Sequence, residues 1–218
     1  MDTEFWKARW RANEIGWHEG RANALLAAHW PALGLAKGSI VFVPLCGKSA
    51  DMAWLAAQGH HVIGVELSEI AVRDFFAENG LDPKRTSQDG FEVSSAGGIE
   101  IWRGDFFQLQ RRHLTGVAGV YDRASLVAMP PTMQPAYAAK LTEIVPEAAP
   151  MLVLTFDYDQ SLMAGPPFSV PTARVEALYG QQFTINELER RDALASRPDL
   201  QARGLTQAHT PVNVLRRR

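Results

Sequence analysis

A short apolar run followed by a tight bend constrains the fold of this chain more than any other feature. Residues 40–43 read Ile-Val-Phe-Val, a proline ends the run, and Gly47 permits the bend. Such a run, bounded by turn residues, predicts a strand that is buried on both faces. Residues 49–58 then place apolar side chains at helical spacing, which predicts a helix. A second predicted strand, residues 61–66, ends in the carboxylate of Glu66.

This strand, turn, helix and strand have the layout of a nucleotide-like cofactor site. In parallel sheets the turn approaches the ligand, and an acid about 20 residues later accepts hydrogen bonds from ribose hydroxyls. Residues 44–48, Pro-Leu-Cys-Gly-Lys, lack both the Gly-x-Gly-x-x-Gly pattern that binds a pyrophosphate and the Walker pattern. A nucleoside without phosphate fits this turn better, and S-adenosylmethionine is the common one. We expect Glu66 to bind its ribose, and Trp10 and the Leu45 backbone to line its sulfonium.

Further apolar runs alternate with helical patterns and predict a doubly wound, mostly parallel α/β sheet. The last two predicted strands suggest an antiparallel edge at the C-terminus. No repeat or linker interrupts the sequence, so we predict a single domain over residues 1–218. The additional predicted strands are 99–102, 116–122, 151–156, 183–188 and 211–215.

Residues 2–15 read as an amphipathic helix that carries Trp6 and Trp10 on one face, four residues apart. Two interpretations remain open. The tryptophans either attach the helix to the domain, or form part of an aromatic lid, within residues 1–30, that lies across the cofactor pocket.

Charge and composition exclude several classes of partner. The net charge of −2 provides no basic surface for nucleic acid. The single cysteine, Cys46, allows neither an internal disulfide nor a cysteine metal cluster, and the histidines lack metal-ligand spacing. Neither a secretory segment nor an apolar run of membrane-spanning length is present. We therefore expect a cytoplasmic monomer with no metal and no nucleic-acid or membrane partner.

Several polar residues fall at or just after the ends of predicted strands, where ligands of such sheets bind. Asp105 follows the third strand, and we expect it to accept a hydrogen bond from an adenine amino group, with Phe106 packing on the base. The alternative is an ordinary Gly-Asp turn. Arg123 follows the fourth strand and either serves the site or forms a structural ion pair with Asp122 or another acid.

Four segments resemble signatures of the thiopurine S-methyltransferase family. They are VPLCGK at 43–48, GVELSE at 64–69, DRASLVA at 122–128 and GPPFSVP at 165–171, and Trp6-x3-Trp10 with Trp17-His18 resembles the family as well. The resemblance runs in order over nearly the whole chain. It implies a class I methyltransferase (Rossmann-like) fold with a seven-stranded sheet and S-adenosylmethionine as methyl donor. This shorter chain resembles bacterial members, some of which are associated with selenium or tellurium methylation.

The resemblance also assigns site residues by position. The implied cofactor contacts are Trp10, Leu45, Glu66 and Arg123, with adenine contacts near Asp105 and Phe106. On the substrate side it implies Trp17, where animal members have phenylalanine, and Arg197. In addition, the prolines beside Phe168, including Pro167, predict a preset wall for a flat substrate.

The expected reaction is methyl transfer to the sulfur of an aromatic or heterocyclic thiol. Transfer from a sulfonium to a thiolate neutralises charge, so a dry pocket favours it. Because such thiols are largely ionised near neutral pH, they need positioning more than a base. We expect no general base, and we expect Arg123 to orient an anionic substrate. Two alternatives use the same sheet: a non-catalytic module that binds an adenosine ligand, and an NAD-type oxidoreductase, which the missing glycine pattern disfavours.

Overall fold

The strand predicted over residues 40–43 lies in the middle of one mixed sheet. A computed structural model of the protein describes residues 3–16, 18–196 and 198–218. The strands are β1 (Ile40–Val43), β2 (His61–Glu66), β3 (Lys84–Gln88), β4 (Phe91–Ala96), β5 (Ile99–Arg103), β6 (Val117–Arg123), β7 (Met151–Leu154), β8 (Asp157–Tyr158), β9 (Phe183–Asp192) and β10 (Ala208–Arg217). The helices are α1 (Thr3–Arg11), α2 (Ala24–His29), α3 (Ala50–Ala57), α4 (Glu69–Glu78), α5 (Gln134–Ile144), α6 (Thr172–Tyr179) and α7 (Pro198–Ala202).

The sheet has a parallel centre and antiparallel flanks. Its order is β3-β4-β5-β2-β1-β6-β7-β10-β8, and β9 pairs with β10. The five strands from β5 to β7 in this order are parallel neighbours, whereas β10 runs antiparallel to β7, β8 and β9. The predicted doubly wound α/β sheet with an antiparallel C-terminal edge is therefore confirmed.

The described residues form ten strands rather than the expected seven. The short strand β8 and the hairpin of β3 and β4 account for the difference. All five residues of β3 are exposed, and its sequence, Lys-Arg-Thr-Ser-Gln, contains no apolar residue. No alternation of apolar and polar residues therefore predicts this strand. Its backbone is held instead by antiparallel pairing with β4.

Helices cover both faces of the sheet, because side chains along each central strand point alternately to opposite sides. Phe42 packs in one core with Leu141 of α5, while Val41 packs in the other with Leu55 of α3 and Phe75 of α4. All five side chains are fully buried. Burial on both faces explains why β1 reads as a continuous apolar run.

Helix α1 is shorter than predicted and lies near the end of β1. The expected helix of residues 2–15 ends at Arg11, and Asn13 then adopts a left-handed conformation with φ of 55°. Trp10 is 6% exposed, whereas Trp6 is half-buried. The buried indole therefore anchors α1 against the body of the protein.

Candidate cofactor and substrate site

The turn after β1 is held in an uncommon conformation by hydrogen bonds to β2. Leu45 has a φ of 45° and Gly47 a φ of 54°, which is the left-handed region. For a residue with a side chain this costs about 1 kcal/mol. The Gly47 N–H donates to Oε2 of Glu66 at 2.9 Å, and the Cys46 N–H donates to the Val65 carbonyl at 3.0 Å. The turn is therefore rigid, and its backbone lies beside the carboxylate that ends β2.

Glu66 is buried and bound through both carboxylate oxygens. It is 7% exposed, and its Oε1 accepts from the Ser68 N–H at 2.7 Å while Oε2 accepts from Gly47. Burial raises the pKa of Glu66, and the backbone N–H groups of Ser68 and Gly47 oppose this rise. Each oxygen can accept a second hydrogen bond. The carboxylate is thus fixed in place and still able to bind two hydroxyls.

The Cys46 side chain packs against β2 rather than serving as a nucleophile. A Cβ added at Gly64 would lie 2.7 Å from Sγ of Cys46, so only glycine leaves room for this side chain. Cys46 is a free, buried cysteine, and burial raises the pKa of its thiol well above the usual range. A protonated, enclosed thiol is inert.

Trp10 lies directly on the turn. A Cβ added at Gly47 would lie 3.3 Å from Cζ2 of Trp10. The indole, the Gly47 backbone and the Glu66 carboxylate therefore meet at the carboxyl ends of β1 and β2. Trp10, Leu45 and Glu66 were expected to line one cofactor, and the structure brings them together. An aromatic ring, a closely approaching backbone and a carboxylate suit a nucleoside that carries a sulfonium.

Arg123, at the end of β6, is bound between two acids. Its Nε donates to Oδ2 of Asp51 at 2.8 Å, and its Nη1 donates to Oε1 of Glu19 at 3.2 Å. Asp51 is fully buried and also accepts from the Tyr121 hydroxyl at 3.1 Å and the Asn23 N–H at 2.7 Å. Burial lowers the pKa of Arg123, but the charge of Asp51 and other groups outweighs this, and the pKa is raised.

Asp122 has a different partner from its neighbour Arg123. It is fully buried and accepts from the Tyr137 hydroxyl at 2.7 Å and the Leu126 N–H at 3.3 Å. Burial raises its pKa from 3.8 to about 6. The sequence left open whether Arg123 pairs with Asp122 or with another acid, and the structure shows pairs with Asp51 and Glu19 instead of Asp122. Sequence reasoning missed Asp51 because an acid in the first turn of a helix is common there.

The turn after β6 joins the turn after β1. Ala124 has a φ of 63°, and the Ser125 hydroxyl donates to the Pro44 carbonyl at 2.7 Å. This bond crosses 81 residues of sequence. The segment that contains Arg123 is therefore fixed against the proposed cofactor turn.

Residues 165–171 form a loop that is held by hydrogen bonds to the segment after β6 and to β8. The Phe168 N–H donates to the Val127 carbonyl at 2.7 Å, and the Tyr158 hydroxyl donates to the Pro167 carbonyl at 2.7 Å. Pro167 and Phe168 are half-buried. The loop is thus tied to the turn that follows Arg123, as a wall for a flat substrate requires.

The expected adenine contacts are only partly available. Asp105 is half-buried and accepts from the Phe107 N–H at 2.9 Å, which leaves lone pairs free for a ligand. Phe106 is 1% exposed and its ring stacks on Tyr137 with centroids 5.0 Å apart. In this structure the Phe106 ring therefore packs in the core and presents no open face to a base.

Two expected substrate residues, Trp17 and Arg197, lie outside the described residues. Within the described ranges, no group of three or more histidine, cysteine or acidic side chains is placed to hold a metal ion. No described helix is both long and apolar enough to cross a bilayer.

Comparisons with known proteins agree with this geometry. The family model for thiopurine S-methyltransferase matches residues 1–218. The thiopurine S-methyltransferase of Nitrosospira multiformis is 48% identical over 99% of this chain and 98% of its own length. That of Azotobacter vinelandii is 47% identical over 100% of both chains.

Solved structures that resemble the chain at low identity show the same fold. A Burkholderia thailandensis 1,6-didemethyltoxoflavin-N1-methyltransferase, bound to 1,6-didemethyltoxoflavin and S-adenosylhomocysteine, has a TM-score of 0.67 at 17% identity. The match covers 99% of this chain and 86% of that one. A methyltransferase from Anabaena variabilis has a TM-score of 0.68 at 13% identity, covering 99% and 95%. The class I methyltransferase fold is confirmed, and the chain belongs to the thiopurine S-methyltransferase family of S-adenosylmethionine-dependent enzymes.

Proposed function

We propose that this protein transfers a methyl group from S-adenosylmethionine to the sulfur of aromatic or heterocyclic thiols, including thiopurines. One observation carries the proposal: the rigid turn with Glu66 and Trp10 lies at the same sheet edge as Arg123 and the braced loop of residues 165–171. The curated relatives named thiopurine S-methyltransferase support the choice of acceptor.

The chain's own residues suit the two ends of the cofactor. The free lone pairs of Glu66 would accept the ribose hydroxyls, and Asp105 would accept from the adenine amino group. The Leu45 backbone and the Trp10 indole would line the charged sulfur, to which an aromatic face is attractive. When bound, S-adenosylmethionine supplies an electrophilic methyl group.

On the substrate side, Pro167 and Phe168 would hold a flat ring, with Trp17 and Arg197 as further contacts. Arg123 would orient an anionic acceptor through a charged group other than the sulfur that receives the methyl group. Positioning of this kind contributes much of the rate when the nucleophile is already ionised.

The proposed reaction does not need a general base. A thiolate acceptor arrives deprotonated, so no proton has to be removed in the transfer step. A water-excluding lid over residues 1–30 would favour a reaction that neutralises charge.

The same arrangement extends to other soft nucleophiles. We include selenium and tellurium compounds among the candidate acceptors, because they attack a methyl sulfonium in the same in-line manner. We further propose that the protein acts as a single-domain cytoplasmic monomer with a small-molecule substrate.

The decisive experiment measures transfer of labelled methyl from S-adenosylmethionine to 6-mercaptopurine, with selenite in parallel. Glu66→Gln replaces one acceptor oxygen with an amide that faces a backbone N–H, and an unsatisfied buried donor costs about 1–3 kcal/mol. We expect the Kd for S-adenosylhomocysteine to rise about tenfold or more. Glu69→Gln, three residues along the chain, is the matched control and should leave the Kd unchanged.

Two results would contradict the proposal in different ways. Binding of S-adenosylhomocysteine without methylation of any thiol would favour the non-catalytic binding module. If the wild type and Glu66→Gln bind S-adenosylhomocysteine with equal affinity, Glu66 is not part of the cofactor site.

A further inference from the structure

Glu19 places a second carboxylate on the arginine proposed to orient the substrate. The Arg123 side chain is 15% exposed, and its Nε is taken by the buried Asp51. Glu19 reaches Nη1 from the outside, at 3.2 Å, and its own side chain is 44% exposed. The solvent side of the guanidinium thus already carries an anionic partner.

The two carboxylates on Arg123 differ in how firmly they are held. Asp51 is fully buried and has two further donors, the Tyr121 hydroxyl and the Asn23 N–H. Among the residues that the structure describes, Glu19 has only long contacts, 3.2 Å to Arg123 and 3.3–3.4 Å to Nδ2 of Asn23. A ligand can therefore displace Glu19 at small cost, whereas Asp51 stays in place.

The charges at this point oppose an anionic acceptor while Glu19 is present. One guanidinium lies between two carboxylates, so the group has a net charge of −1 when both acids are ionised. An approaching anion gains attraction from Arg123 only after Glu19 has moved away. Without the Glu19 charge, the net charge of the remaining pair is zero.

We propose that Glu19 is a specificity-determining residue that competes with negatively charged acceptors for Nη1 of Arg123. Its carboxylate occupies the place that an anionic group on the acceptor takes in the complex. The protein therefore discriminates against acceptors with an additional carboxylate and favours otherwise identical neutral ones. This inference rests on the proposed function of Arg123 in substrate orientation.

The test compares two acceptors of the same shape, 4-mercaptobenzoate and 4-mercaptobenzamide. Glu19→Gln keeps an amide oxygen for Arg123 and Asn23 but removes the charge. A partly exposed ion pair is weak, so the ratio of kcat/KM for the carboxylate over the amide should rise about threefold to fivefold. The change should appear in KM rather than kcat, because the contact is made in the bound complex.

Glu78→Gln is the matched control. Glu78, the last residue of α4, is also a partly exposed acid. It pairs with Lys48 at 2.6 Å and with His18 at 3.9 Å instead of with Arg123. The ratio of the two acceptors should stay at the wild-type value in this variant. An equal rise in both variants would attribute the effect to the general field of the surface and overturn the proposal, as would an unchanged ratio in Glu19→Gln.

A binding measurement decides the question even if no thiol is methylated. Calorimetry with protein loaded with S-adenosylhomocysteine would compare 4-(methylthio)benzoate with its amide, in the wild type and in Glu19→Gln. Preferential tightening of the carboxylate in Glu19→Gln supports competition at Arg123. Equal affinities in the two proteins contradict it, whereas failure of methylation alone contradicts only the proposed function.

Discussion

Replacing Asp51 with asparagine tests whether the buried pair with Arg123 stabilises the fold. Asp51 is fully buried, and three donors converge on its carboxylate from β6 and from the segment before α2. Removing one partner of a buried ion pair costs about 3–5 kcal/mol. The Arg123 side chain is 15% exposed and keeps its contact with Glu19. We therefore expect Asp51→Asn to lower the free energy of unfolding by about 2–3 kcal/mol.

Urea unfolding followed by tryptophan fluorescence measures this change. With a urea m-value of about 2.5 kcal/mol/M, the midpoint should fall by about 1 M at unchanged slope. The double variant Asp51→Asn with Arg123→Met removes the unpaired charge as well. It should therefore be destabilised less than the sum of the two single variants, by about 1–2 kcal/mol.

Asp74→Asn is the control, because Asp74 pairs at 2.7 Å with Arg73, whose side chain is 64% exposed. That change should stay within about 0.5 kcal/mol. A loss below about 1 kcal/mol in Asp51→Asn, or full additivity in the double variant, would refute the reasoning that Asp51 holds Arg123 in place.

Three further changes test the turn, the loop and the pH dependence. Burial raises the pKa of Asp122 from 3.8 to about 6. Between these two values the folded state keeps a proton that the unfolded chain has released. The free energy of unfolding therefore falls as the pH rises through this window, by up to about 3 kcal/mol. Asp122→Asn should flatten that segment of the stability profile in urea titrations between about pH 4 and pH 7. Gln160 donates to the Met163 carbonyl at 2.6 Å and accepts from the Ser169 N–H at 2.7 Å. Gln160→Ala should therefore raise the KM for 6-mercaptopurine while the Kd for S-adenosylhomocysteine stays constant. Ser161→Ala is the control. Gly47→Ala forces a side chain into φ of 54° and to 3.3 Å from Trp10, and should cost about 1–2 kcal/mol in urea unfolding and weaken cofactor binding.

Local sequence patterns were sufficient for the elements that build the cofactor half of the site. The bounds of β1 and β2 are those predicted, because apolar periodicity and flanking turn residues act over a few residues. Glu66 could be placed at a strand end for the same reason. The exposed strand β3 was missed, since only its pairing with β4 defines it.

The tertiary structure alone decided which charged groups meet. Arg123 and Asp51 are 72 residues apart, and nothing in their local sequences distinguishes Asp51 from the adjacent candidate Asp122. Neighbouring residues of β6 point to opposite faces of the sheet, so Asp122 is directed to Tyr137 of α5 while Arg123 reaches Asp51 of α3. A buried charge must find a partner on its own side of the sheet, and the packing of helices on each face, rather than proximity in sequence, determines what that partner is.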